Sequence, residues 1–212
     1  MSFSPLLLPR LIEAATDIIA QHTEEITELD QAIGDGDHVI NLQRGLTALM
    51  AQREQFALLD WSQAWQKIGM SMMTSIGGAS GSLFGTFFMS MGKASVDQSL
   101  TLANFADIFE QAVVAVKHRG KSDVGEKTLL DVLGPVADYL QQAAAVNCKL
   151  SEVYEKVVSV AISGMESTRD MLATKGRAAF LEERSVGHID AGAKTTQLII
   201  CAVVDALSKG DD

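Results

Sequence analysis

The sequence predicts an all-α fold: a single domain, residues 1–212, of eight antiparallel helices closed into an up-and-down barrel with a ligand site at one end. Three observations carry this. Apolar residues recur at three- and four-residue spacing along most of the chain, and no stretch shows the sustained alternation of a half-buried strand. There is no Pro/Ser linker, low-complexity tract or fixed-period repeat to divide the chain. At 212 residues and 47% apolar composition, it can also bury one substantial core.

The first helix is expected over residues 6–26, with Leu8, Leu11, Ile12, Ala15, Ile18 and Ile19 on one face. A second follows an acidic loop, over 38–52. Asp60 is positioned to cap the third, with Gln63 completing a capping-box pattern and Trp61, Trp65, Ile68 and Met72 on the buried face. A glycine cluster at 77–81 opens the fourth, Leu83–Ala94. Thr101 caps the fifth, whose apolar positions run Leu102, Phe105, Ile108, Phe109, Ala112, Val113, Val116. The sixth spans about Lys127–Ala145 and contains Pro135, which removes an N–H from the ladder and is expected to bend it. Ser151 is expected to cap the seventh, and the eighth runs from about Ala191 to Leu207 after a polar 174–189 loop.

Charge excludes several function classes. With 17 Lys and Arg against 27 Asp and Glu, the net charge is −10 and the sequence pI about 4.8. Nucleic acid and anionic membrane both need clustered cations, so neither is an expected partner. A nucleotide remains possible, because a metal can supply the missing positive charge. Cys148 and Cys201 form no C-x-x-C motif and are expected to be reduced, packed thiols. The N-terminus lacks a basic region and a small-residue cleavage pattern, and the late apolar run Leu198–Val204 is too short to span a bilayer. A cytoplasmic location is expected.

The polar, glycine-bearing segments are not spread evenly. They precede the second, fourth, sixth and eighth helices, which in an up-and-down arrangement places all four at one end. The first of them, Asp30-x4-Asp35-Gly-Asp37-His38, offers three carboxylates within eight residues and only oxygen ligands, which favours Mg²⁺ or Ca²⁺ over zinc. An EF-hand fails, because Val39 and Ile40 fall where a ligand and the glycine should be. Three carboxylates undersupply calcium and suit Mg²⁺, which keeps waters and takes further ligands from phosphate. The plain alternative is a solvated acidic turn in which Asp37 merely caps a helix.

Gly77-Gly-Ala79-Ser80-Gly81-Ser82 leaves free N–H groups at a helix start, suited to an anion, though small residues there also serve tight helix packing. Asp190-Ala191-Gly192-Ala-Lys194 resembles a P-loop only superficially, since Ala193 replaces the lysine and no strand precedes it. Lys175, Arg177 and Arg184 bring cations to an otherwise acidic chain; a salt-bridged surface loop is the alternative. No Ser-His-Asp order or Cys-His pair points to a covalent nucleophile. Hard-metal ligands, anion-binding helix starts and an arginine are the parts phosphoryl transfer needs.

Taken in order, Asp30-x4-Asp35-x-Asp37-His38, Gly77-Gly-Ala-Ser-Gly81-x-Leu-Phe-Gly85, Lys175-Gly-Arg-Ala178, Glu183-Arg-Ser185-x-Gly-His188 and Asp190-x-Gly-Ala193 resemble the ADP-binding L subunit of dihydroxyacetone kinases, over essentially the whole chain. The resemblance implies an eight-helix antiparallel barrel. It implies that Asp30, Asp35 and Asp37 hold two Mg²⁺ ions bridging to nucleotide phosphates. It also implies that His38, Asn41, Ala79, Ser80, Gly120, Thr128, Leu129, Arg177, Asp190, Ala191 and Gly192 contact ADP or ATP. No residue is expected to act as nucleophile; positioning falls to the metal site and Arg177. In the phosphotransferase-system type, resident ADP is rephosphorylated by a phosphohistidine M subunit and passes the group to dihydroxyacetone on a separate K subunit. A kinase subunit for another triose, one charged by free ATP, and a non-enzymatic nucleotide-sensing adaptor are the alternatives. Val39 and Ala191 differ from the glycine and proline common at those family positions.

Overall fold

Eight long helices form the wall, each packed on the next. The computed structural model describes residues 3–209. Its α-helices are α1 Leu8–Gln21, α2 Thr23–Ile33, α3 His38–Met50, α4 Arg53–Ala57, α5 Trp61–Ser75, α6 Gly78–Ala94, α7 Leu102–Gly120, α8 Leu130–Ala145, α9 Leu150–Ser167 and α10 Ala191–Ser208. Short 3-10 segments cover Pro5–Leu7, Thr168–Asp170 and Ala178–Ser185. Packing runs α1–α3–α5–α6–α7–α8–α9–α10 and returns from α10 to α1, which closes the ring. Connections from α5 through α9 are short, which makes those neighbours antiparallel, whereas the 168–190 segment joins α9 to α10. Among the described residues there is no strand, and no helix is long and apolar enough to cross a membrane.

Several boundaries differ from expectation, each for a local reason. The expected 6–26 helix breaks at His22, and its second part, α2, continues through Asp30 to Ile33. The Thr23 hydroxyl donates back to the carbonyls of Ile19 and Ala20 and accepts from Gln43, competing with the helix ladder at the break. The short α4 turns the corner between α3 and α5 and buries Phe56. The fourth expected helix begins earlier, so the glycine cluster is its first turn. Ser151 is not a cap: Lys149 holds that position, with no side-chain hydrogen bond. The preceding helix ends instead in a left-handed Asn147 at φ 49°, with Cys148 N–H donating to Ala143 O and Asn147 N–H to Ala144 O, a Schellman ending that sets where the next helix starts. Asp60 and Thr101 cap as expected, accepting from the N–H groups of Gln63 and Asn104, and Asp190 caps α10, accepting from Ala193 N–H.

α8 runs through Pro135 without a break. Proline gives no N–H to Asp131 O, and it is there that α9 crosses with Gly164, where a Cβ would collide with that carbonyl. Inside the ring lies a cavity of about 290 Å³ walled by apolar side chains such as Ile12, Leu46, Ile68, Phe87 and Leu133. The polar loops lie outside this core, at one rim.

Candidate functional site

The 34–37 turn links α2 to α3 and brings its own Asp35 and Asp37 beside Asp30 near the end of α2. Ligand oxygens of Asp30, Asp35 and Asp37 all lie within 4.8 Å of one another. Gly34 fits between them because a Cβ there would strike the Asp30 carboxylate, and Gly36 takes φ +76°. Asp37 holds the N-cap position of α3 but makes no side-chain cap bond; Asp30 serves instead, accepting from His38 N–H at 3.1 Å. The Asp37 carboxylate is therefore not consumed by capping. The Arg177 guanidinium lies on the Asp35 carboxylate.

His38 joins the starts of α3, α6 and α10. Its Nδ1 pairs with Ser80 Oγ at 3.1 Å and its Nε2 with Thr195 Oγ1 at 3.0 Å. Burial holds its imidazole below the usual 6.5, against the pull of the Asp30 and Asp37 charges. The start of α6 has no side-chain cap, so its first N–H groups, over Gly78–Gly81, are available to a ligand. Gly78 takes φ +68° to make that turn, while Gly81 packs so closely on the Ile76 carbonyl that a Cβ would collide. Asn41 is buried, accepts from Arg44 at 3.1 Å and lies against Gly77.

The third loop is shaped by Asp131, which accepts from Gly125 N–H at 2.5 Å and Thr128 N–H at 2.7 Å. Thr128 Oγ1 accepts from Leu130 N–H, and Leu129 caps α8. The fourth loop reaches the same place: Gly192, in the first turn of α10, lies beside Asp190 and the backbone N–H of Leu129. Burial raises the Asp190 carboxyl to about 6, with Ala193 N–H and Lys127 opposing and Asp131 and Asp30 reinforcing the rise. Ala191 is buried. Ala79 and Gly120 carry no polar side chain and enter by position alone, as the second residue of α6 and the last of α7.

Sequence reasoning missed four contributors. Thr195 lies in α10, just after the Asp190–Lys194 motif, and was given no role of its own. Arg119 Nε donates to Ser82 Oγ at 2.5 Å, tying the end of α7 to the start of α6. Lys194 pairs with Glu25 at 2.7 Å, docking α10 on α2. Lys127, expected only to start a helix, is fully buried between two loops. Val39 turns its side chain into the main core rather than toward the carboxylates.

Known proteins share this arrangement of sequence. The DAK2 domain model matches residues 32–205. The chain is 37% identical over 201 residues to the ADP-binding subunit DhaL of the PEP-dependent dihydroxyacetone kinase of Escherichia coli strain K12, covering 94% of this chain and 96% of that one. It is 37% identical over 186 residues to the corresponding subunit of kinase 1 of Listeria innocua, covering 88% of each. An L-erythrulose kinase of Pectobacterium atrosepticum is 31% identical, but there the match covers 93% of this chain and only 34% of the relative. In structure, the chain resembles the dihydroxyacetone kinase from C. freundii in complex with AMP-PNP and Mg²⁺, with TM-score 0.74 and 21% identity over 97% of this chain and 34% of that one; this likeness shows the fold.

Proposed function

The chain belongs to the DAK2 domain family, and from that premise we propose that it is the nucleotide-binding subunit of a dihydroxyacetone kinase. In this reading a resident ADP accepts a phosphoryl group from a phosphohistidine M subunit. The ATP so formed gives the group to dihydroxyacetone held on a separate K subunit. The higher identity to ADP-binding subunits, 37% against 31% for the L-erythrulose kinase, supports this reading.

The observation that carries the site assignment is the convergence of three carboxylates within 4.8 Å, with Asp37 spared from capping and one guanidinium on Asp35. An all-oxygen donor set of this kind fits Mg²⁺, and Asp30, Asp35 and Asp37 would hold two such ions. When bound, Mg²⁺ supplies charge neutralisation and orientation for phosphate oxygens. The residues of the chain do the rest. Arg177, which lies on Asp35, would supply a guanidinium for a phosphate oxygen. The free N–H groups at the start of α6 would donate to further phosphate oxygens, and His38 fixes the Ser80 hydroxyl among them. Asn41, Gly120, Thr128, Leu129 and Asp190–Gly192 line the remainder of the nucleotide. No side chain attacks; the site works by positioning and charge.

Two relatives phosphorylate erythrulose by name, and they match this chain at 31% and 30% identity. The choice of ketose is therefore assigned to the partner that holds it. Reconstitution tests the function. Mixing the chain with a K subunit, phosphorylated M subunit and catalytic ADP should yield dihydroxyacetone phosphate in molar excess over nucleotide. Product formed only in proportion to added ATP would refute resident-cofactor turnover.

A further inference from the structure

Lys127 is only 1% exposed, and its backbone sits at φ +61°, a left-handed conformation that a residue with a side chain adopts rarely. Its ammonium donates to Thr168 O and His188 O. These carbonyls come from opposite ends of the 168–190 segment between α9 and α10. The same neck is closed by Gly187 N–H to Arg169 O at 2.7 Å and Asp190 N–H to Thr168 Oγ1 at 3.1 Å. The loop beyond it carries Arg177 to Asp35 and seats Ala173, Ala178 and Leu181 on Ile33 at the end of α2. Glu126, the neighbouring residue, takes hold of the same loop through Thr174 at 2.8 Å and Lys175 at 3.5 Å.

A buried cation is a poor device for stability alone, because an apolar side chain of similar volume avoids the desolvation. Burial lowers the ammonium from its usual value while the charges of Asp190, Asp170 and Asp131 oppose that fall. What the lysine supplies that an apolar residue cannot is a directed link among three backbone segments. One is its own, leading straight into Thr128 and Leu129. The others end in the Arg177 loop and in Asp190–Gly192.

We propose that Lys127 is a positioning residue for nucleotide binding: it clamps the neck of the 168–190 loop to the start of α8, and so holds Arg177 and Asp190–Gly192 in register with Asp30, Asp35 and Asp37. The proposal rests on the nucleotide reading given above. It assigns no ligand contact to Lys127 itself.

The test compares wild type with Lys127→Met, and with Lys127→Gly, which suits the left-handed backbone and still removes the ammonium. Calorimetry with Mg·ADP should show either variant weakened by about tenfold or more, the scale expected when supporting geometry is lost. Arg177→Ala supplies the discriminating arm. If Lys127 acts through the loop, the double variant should bind about as weakly as the weaker single; a merely structural lysine gives additive losses. Without ligand, hydrogen exchange in Lys127→Met should quicken at Gly187 and Asp190, and in wild type those amides should exchange slowly. A folded variant that binds Mg·ADP as wild type does, additive losses, or fast wild-type exchange at the neck would each overturn the clamp. Wild type that binds no Mg·ADP would overturn the nucleotide reading instead, leaving the exchange arm to judge the clamp alone.

Discussion

Asp190→Asn should make the ligand-free protein more stable at neutral pH, though it removes a charge from the candidate site. Burial raises the Asp190 carboxyl from the usual 3.8 to about 6. The unfolded carboxyl loses its proton near 3.8 and the folded one near 6. Between these pH values the folded state keeps a proton that the unfolded state has released, so this group makes stability fall as pH rises. The distance corresponds to ~3 kcal/mol, fully lost above about pH 6 and recovered below about pH 4. Asparagine keeps an acceptor for Ala193 N–H, now 2.7 Å from Asp190 Oδ2, and has no charge to desolvate. Urea unfolding in EDTA at pH 4, 5, 6 and 7.5 should show the variant ahead by ~2–3 kcal/mol at pH 7.5, with the gap closing toward pH 4. Glu25, Asp123 and Glu126, whose carboxyls are held low, titrate alike in both proteins and cancel in the difference. A variant less stable than wild type at pH 7.5, or a gap that does not close with acid, would refute the reasoning.

Three further outcomes follow from the same geometry. Asp37→Asn should raise the Kd for Mg·ADP by about a hundredfold or more while leaving Tm within a degree or two, because Asp37 caps nothing; Asp30→Asn should lose affinity and also ~1 kcal/mol of stability, since it holds His38 N–H. Thermal scans and calorimetry on the pair separate the two roles. Thr195→Val should weaken Mg·ADP binding by a few-fold, about 1 kcal/mol, through loss of its bond to His38 Nε2, and in a His38→Ala background the same substitution should add little. Leu42→Ala, at a fully buried position of α3, should cost ~2–5 kcal/mol in urea unfolding without altering the Mg²⁺ dependence of binding.

The barrel was legible because its helices are amphipathic and its caps use ordinary chemistry. Spacing placed the eight long helices, and Asp60 and Thr101 cap where expected. The gathering of four glycine-bearing loops at one rim followed from alternation alone. The His38 bonds to Ser80 and Thr195 bear out the meeting of three loops, and Gly192 beside Leu129 joins the remaining one. What escaped was decided by contacts distant in sequence or by competition between two local options. Thr23 broke the first helix because its hydroxyl found backbone carbonyls there. Ser151 lost the cap because the chain before it was already set by the Schellman ending at Asn147. Capping of α3 passed to Asp30, eight residues upstream, because the tight 34–37 turn carries that carboxylate to His38 N–H. Lys127 gave no signal, since a lysine in a polar loop is ordinarily solvated; its burial depends on the 168–190 loop folding over it.

The central claim is that Asp30, Asp35 and Asp37 make one rim of the barrel a magnesium-dependent nucleotide site. Titration of ADP into nucleotide-stripped protein, with Mg²⁺ and then with EDTA, tests it most directly. Saturable one-to-one binding is expected with Mg²⁺, lost in EDTA and abolished by Asp35→Asn with Asp37→Asn. Binding of equal strength in EDTA, or unchanged binding by the doubly substituted protein, would contradict it.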